Sequence, residues 1–319
     1  MIDVITIGET MLLLDPVDDG HLDYVSGYRQ RVAGAESNFA IALARLGLRA
    51  AWVSRLGADP FGRLIRRCVG SEGVEVHAEE DPDAPTGIYF KERRGPDAIA
   101  VYYYRTGSAA SRLRPEDVPE DLVRQARLLH FTGISLAVPG TLANATLHAV
   151  ELARKHRLQV SFDPNLRPRL WGEAAARRAL EPVLRDLDLL LTGQNEIEIL
   201  TGETDQWRQL AKLRRRSIRL VVIKRGAAGA LVASHDRVVN VPPMRVERVL
   251  DSVGAGDAFD AGFVAGHLKG LDLAECGKLG SAVGAAALDG TGDYETIPAW
   301  PEALRRAATV ATDDVERTS

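Results

Sequence analysis

Short apolar runs of five or six residues recur along this chain, each followed by a longer stretch whose apolar positions repeat at helical spacing. The runs expected as strands cover residues 4–8, 51–56, 128–133, 159–163, 187–191 and 220–224. Helical patterns lie between them, at 37–46, 60–72, 142–156 and 196–201. Alternation of this kind leaves few folds open. Successive strands must run parallel, joined by right-handed crossovers, with helices covering both faces of the sheet. Ligands of such sheets gather at the carboxyl ends of the strands. With 319 residues the chain can bury one large α/β core carrying an elaboration.

Two stretches break the pattern. Residues 11–33 and 86–105 read as extended segments with turns and no helix between them. We expect them to form a small sheet that serves as a lid, over a core made of residues 1–10, 34–85 and 106–319. An edge hairpin without a role is the competing reading. Forty basic and 44 acidic residues leave a net charge of -4, which argues against a nucleic-acid coat or a membrane-surface protein. Cys68 and Cys276 form neither a metal spacing nor a disulfide framework, and the seven histidines are scattered. The opening MIDVITIGET carries no basic leader, and no apolar run approaches the ~18 residues that span a bilayer. The expectation is a soluble cytoplasmic protein.

The stretch DSVGAGDAFDAG, residues 251–262, carries the chemistry. It is not a dinucleotide fingerprint, because Phe259 stands where the third glycine belongs, and no Gly-Lys-Ser/Thr occurs anywhere to close a Walker loop. Gly254 and Gly256 permit close backbone approach. The small-residue helix that follows would present unpaired amides and a partial positive charge, suited to a phosphoryl group in flight. An aspartate in that mouth repels a resting phosphate but can accept a proton from an attacking hydroxyl, which makes Asp257 a candidate general base and residues 254–257, including Ala255, an oxyanion cradle. A simple helix cap is the alternative for Asp257.

These residues resemble the C-terminal signature of the ribokinase-like (PfkB) carbohydrate kinases. AGAESNFAIALARLG, residues 33–47, is similar to the N-terminal signature, with Ala33 where a glycine is usual, and GADPFG follows at 57–62. NEIE, residues 195–198, resembles the family's Asn-x-x-Glu motif. The resemblance covers essentially the whole chain. It implies a three-layer α/β/α fold with a mostly parallel central sheet and a small antiparallel β lid, using ATP and Mg2+. It implies Asp257 as base, Asn195 and Glu198 near the metal, and Asn165, Thr192, Lys224, Gly226, Gly229, Gly254 and Gly256 around the nucleotide. Whether a monovalent cation assists is open.

The lid bears on the substrate. Period-two alternation in VYYYR places Tyr103 and Arg105 on one face, with Tyr89 of a neighbouring strand able to join them. Arg167, in FDPNLRPRLW, should lie near the strand ends. Two arginines beside one small ligand invite a carboxylate. YYRTGSAAS and the GET at 8–10 resemble 2-keto-3-deoxygluconate kinases, whereas fructokinases of the family usually carry an aspartate where Ala110 stands. By the same resemblance Gly34, Asn38, Asp251 and Asp293 place the sugar. The expected activity is phosphoryl transfer from ATP to a primary hydroxyl of a sugar acid. The rivals are a fructokinase, ribokinase or nucleoside-kinase activity, or a sugar-binding regulator without catalysis. Apolar lid faces suggest a homo-oligomer, a dimer or larger, paired through the lid.

Overall fold

Strands form where branched and leucine side chains alternate between two buried faces. In Val4–Ile7 (β1), Val4 packs into one core layer while Ile5 and Ile7 enter the other. The computed structural model describes residues 1–94, 99–216, 218–247 and 249–315; residues 95–98, within the expected lid stretch, lie outside the described residues. Along the chain β1 is followed by Met11–Pro16 (β2), Tyr28–Ala33 (β3), Ala50–Gly57 (β4), Glu75–Asp81 (β5), Ile88–Arg93 (β6) and Ile99–Tyr104 (β7). Then come Leu128–Thr132 (β8), Gln159–Asp163 (β9), Leu189–Gly193 (β10), Leu220–Lys224 (β11), Ala230–Ala233 (β12), Val238–Val241 (β13) and Asp313–Asp314 (β14).

Ten strands make one sheet in the order β14-β13-β12-β11-β10-β9-β8-β1-β4-β5. Pairing is parallel from β5 to β11 and antiparallel from β11 to β14. Strand β1 pairs with both β4 and β8, so the strand order reverses there, and a ligand crevice is expected beyond its carboxyl end. One face is covered by the helices Ala35–Arg45, Ala255–Leu268 and Leu273–Leu288, the other by helices that include Leu142–Lys155. The alanine and glycine run of 281–287 belongs to a tightly packed helix pair. A side chain at Gly262 would lie 2.7 Å from the Leu279 carbonyl. Among the described residues no helix is long and apolar enough to cross a membrane.

The second sheet has the order β3-β2-β6-β7. Its two antiparallel pairs, β2/β3 and β6/β7, join along a parallel seam between β2 and β6. Several cationic side chains fasten this sheet to the core. Arg31 on β3 donates to Glu295 and to Thr291 Oγ1. Arg169, from the loop after β9, donates to the Val101 carbonyl and lies over the Tyr102 ring.

Candidate active site

The parallel strands deliver their following loops to one end of the sheet. There Gly8–Thr10 follow β1, Pro164–Arg169 follow β9, Gly193 opens the helix Gln194–Thr201 after β10, and Lys224 ends β11. The helix Ala255–Leu268 enters the same region from Gly254, which holds a left-handed backbone (φ 84°). Its Cα lies so close to the loop that a side chain there would meet the Asp293 carbonyl at 2.5 Å. Glycine is needed at this position on both counts.

Asp257 sits in the first turn of that helix, half-buried. Its Oδ2 accepts from Asn38 Nδ2 at 3.0 Å, and its Oδ1 from Asn165 Nδ2 at 3.4 Å. Although one side faces the cleft, the surrounding protein strips enough water that burial raises its pKa to about 7, with Asn38 pulling the other way and Asp163 adding repulsion. Its two anchors are both side-chain amides, so they orient the carboxyl without supplying a full charge.

Two cavities meet at this aspartate. The smaller, under the lid, is lined by Gly34, Asn38, Tyr89, Tyr103, Arg105 and Asp293 among others. The larger, about 720 Å3, is lined by residues that include Asp163, Asn165, Glu196, Lys224, Gly254 and Gly256. Arg167 and Asp257 border both. Tyr89 and Tyr103 pair directly across β6 and β7, with ring centroids 5.6 Å apart. The Arg105 guanidinium lies over the Tyr103 ring at 5.8 Å. Arg105 differs from expectation in being already paired: its Nε donates to Glu9 Oε2 at 2.7 Å, and Glu9 also accepts from Ser108 Oγ. Arg167 is exposed to the cleft and, among the described residues, has no carboxylate partner.

Under the larger cavity lies a charged cluster that the sequence did not reveal. Lys224 Nζ donates to Asp163 Oδ2 at 3.0 Å and to Asp260 Oδ2 at 2.8 Å. Burial opposes the lysine's charge, but Asp163, Asp260 and Glu196 more than offset it and hold its pKa above the usual lysine value. Burial pushes Asp260 up, whereas the nearby Lys224 keeps Asp163 below the ordinary carboxylate value despite its own burial. Lys224 is thus clamped between two carboxylates.

Several of the expected nucleotide-side residues line neither of these two cavities. Asn195 and Glu198 are two of them. They line an outer hollow with Glu173, Arg177 and Arg178. An α-helix turns about 100° per residue, so positions 195 and 198 share a face that 196 does not. Glu196 is the acid that reaches the cavity, its Oε1 accepting from Leu166 N at 2.7 Å and its Oε2 from Gly193 N at 2.6 Å. Thr192 is fully buried beneath Glu196, bonded at 3.4 Å to its Oε2, and offers no surface to a ligand. Gly229 (φ 82°) is packed against Val241 and Pro242, a turn requirement, while Gly226 borders open space.

A family model described as pfkB family carbohydrate kinase matches residues 1–300. The chain belongs to that family. Its relatives include the 2-dehydro-3-deoxygluconokinase of Thermoproteus tenax, 39% identical over 308 residues, covering 95% of this chain and 93% of the relative. The enzyme of the same name from Bacillus subtilis is 35% identical over 303 residues, 93% of each chain. A solved structure of an uncharacterized sugar kinase from Pyrococcus horikoshii in complex with ATP superposes with a TM-score of 0.81 at 27% identity, covering 95% of this chain and 99% of that one.

Proposed function

We propose that this kinase transfers the γ-phosphoryl group of ATP to the primary hydroxyl at C6 of 2-keto-3-deoxygluconate, the sugar acid named 2-dehydro-3-deoxygluconate in its relatives. The observation that carries the reading is the position of Asp257, at the junction of a lid-covered cavity and an open one and in the first turn of a helix. The sugar lies under the lid, with Gly34, Asn38, Tyr89, Tyr103 and Asp293 around it; Asp251, expected there too, is buried against Lys91. Its carboxylate meets Arg167, which borders both cavities and has no carboxylate partner among the described residues, and Arg105 supplies a second, Glu9-oriented donor.

Asp257 takes the hydroxyl proton as the oxygen attacks the γ-phosphorus and the bond to the bridging oxygen of ADP breaks. Amides of residues 254–257, including Ala255, receive the equatorial oxygens. Asn165, Gly226 and Lys224 border the phosphate path. Magnesium, carried in on the phosphates, would neutralise their charge. Glu196 is the carboxylate placed to hold one of its waters, which suits an ion that keeps several waters and few protein ligands.

The larger cavity, at about 720 Å3, falls within the range of small-molecule sites. We place the enzyme in the cytoplasm, where ATP is available and thiols such as Cys68 and Cys276 stay reduced. We also propose that two copies pair through the outer lid face, where Phe90 lies edge-on between Tyr28 and Tyr104. Coupled assays with keto-deoxygluconate, keto-deoxygalactonate, fructose, ribose and adenosine, with and without potassium, test the substrate. The sugar acids should give the highest kcat/KM, and Arg167→Leu should lower it for them far more than for fructose. A preference for fructose that survives Arg167→Leu would overturn the acid-sugar reading.

A further inference from the structure

One buried cation has no part in the scheme above. Lys91 stands on the inner face of lid strand β6, two residues beyond Tyr89, and is wholly buried. Its Nζ donates to Asp251 Oδ2 at 2.7 Å and to Asp293 Oδ1 at 2.8 Å. A lysine carried by the lid therefore completes a contact with two carboxylates of the core. Burial opposes its charge, but the two aspartates more than offset that and hold the proton more tightly than an ordinary lysine would.

Both arms of this contact end at the reaction centre. The second oxygen of Asp293 accepts from Asn38 Nδ2 at 3.3 Å, and the same nitrogen donates to Asp257 Oδ2 at 3.0 Å. Asp251 Oδ1 accepts from Val253 N at 3.0 Å, which fixes the backbone just before Gly254. Without the lysine, Asp251 and Asp293 would be two unpaired carboxylates in a buried space. One would take a proton or turn away, and Asn38 would lose one of its three side-chain hydrogen bonds.

We infer that Lys91 is a positioning residue: seated only when the lid is down, it orients Asp251 and Asp293 and, through Asn38, aims Asp257 at the sugar hydroxyl. The base is thereby aligned only while the lid covers the site. This rests on Asp257 acting as the base, but not on which sugar is bound.

The test compares wild type, Lys91→Met, Lys91→Arg, Asp293→Asn and the Lys91→Met/Asp293→Asn double variant, using whichever sugar of the panel wild type turns over best. Failure of the sugar-acid reading therefore leaves the test standing. In a folded Lys91→Met protein, kcat should fall by about 10²-fold, the loss typical of a small misalignment. Its KM for the sugar should rise, its KM for ATP should stay unchanged, and Lys91→Arg should recover most of the activity. The double variant should be little worse than Asp293→Asn alone. If Lys91→Met does not fold, Lys91→Gln, which keeps hydrogen bonding without the charge, takes its place. Kinetics within twofold of wild type, an equal rise in the KM for ATP, or multiplying losses in the double variant would overturn the inference.

Discussion

A carboxyl group walled in by protein on most sides does not keep the pKa of a solvated aspartate, and Asp257 is no exception. Burial brings it to about 7, so kcat/KM for the sugar should climb as pH rises through that value, when the free enzyme loses the proton. A pH–rate profile whose acid limb sits near 4 would remove desolvation from the account. The same shift affects stability. Between roughly pH 4 and 7 the folded state keeps a proton that the unfolded state has released, so Asp257 makes folding less favourable as pH rises across that window. Asp257→Asn should therefore unfold at a higher temperature than wild type at pH 8 and show little gain at pH 4. The same variant should lose roughly 10²–10⁴ in kcat, the usual worth of a general base, while calorimetry finds sugar binding nearly intact.

Elements, more than single residues, decide which acids meet the nucleotide. Helix Gln194–Thr201 sets Glu196 in the lining of the larger cavity and Glu198 in that of an outer hollow. Glu196→Gln should raise the magnesium concentration needed for half-maximal rate, whereas Glu198→Gln should leave the magnesium titration unchanged. Gly254→Ala forces a side chain into a left-handed position, which costs roughly 1–2 kcal/mol from the backbone alone, and pushes on the Asp293 peptide. Its thermal midpoint and kcat should both drop.

The same elements explain what could be read in the sequence. The parallel strands were legible because their alternation sorts side chains between two core layers, as with Leu190 against Leu189 and Leu191. Strand β5 was not, because EVHAEED is an edge strand whose charges suit a solvent-facing border. The Asp257 region and the Tyr89, Tyr103 and Arg105 face were legible from turn chemistry and period two. That Glu196, and not Glu198, lines the larger cavity was not legible, because a motif match does not report helix phase. Lys91 was overlooked, although the alternation that singled out Tyr89 puts it on the same face. A lone lysine reads as solvated unless its buried partners, 160 and 202 residues away in sequence, are known.

At the scale of the whole molecule, the lid sheet presents a different surface on each side. Its inner face borders the smaller cavity, and its outer face carries Tyr104, 67% exposed, beside Phe90. If two copies pair there, Tyr104→Glu should shift the protein toward monomer in sedimentation while the thermal midpoint changes little, since the residue is outside both core layers.

The fastening of that sheet through Arg31, Lys91 and Arg169 has a further kinetic consequence. The smaller cavity lies under the second sheet and the larger beside it, so the two substrates should face unequal entry barriers. ATP should associate at a rate set by diffusion and orientation, but the sugar must wait for several ion pairs and hydrogen bonds to let go together. Rapid-mixing traces should then show sugar capture levelling off at high concentration, at a ceiling equal to the opening rate, with no such plateau for the nucleotide.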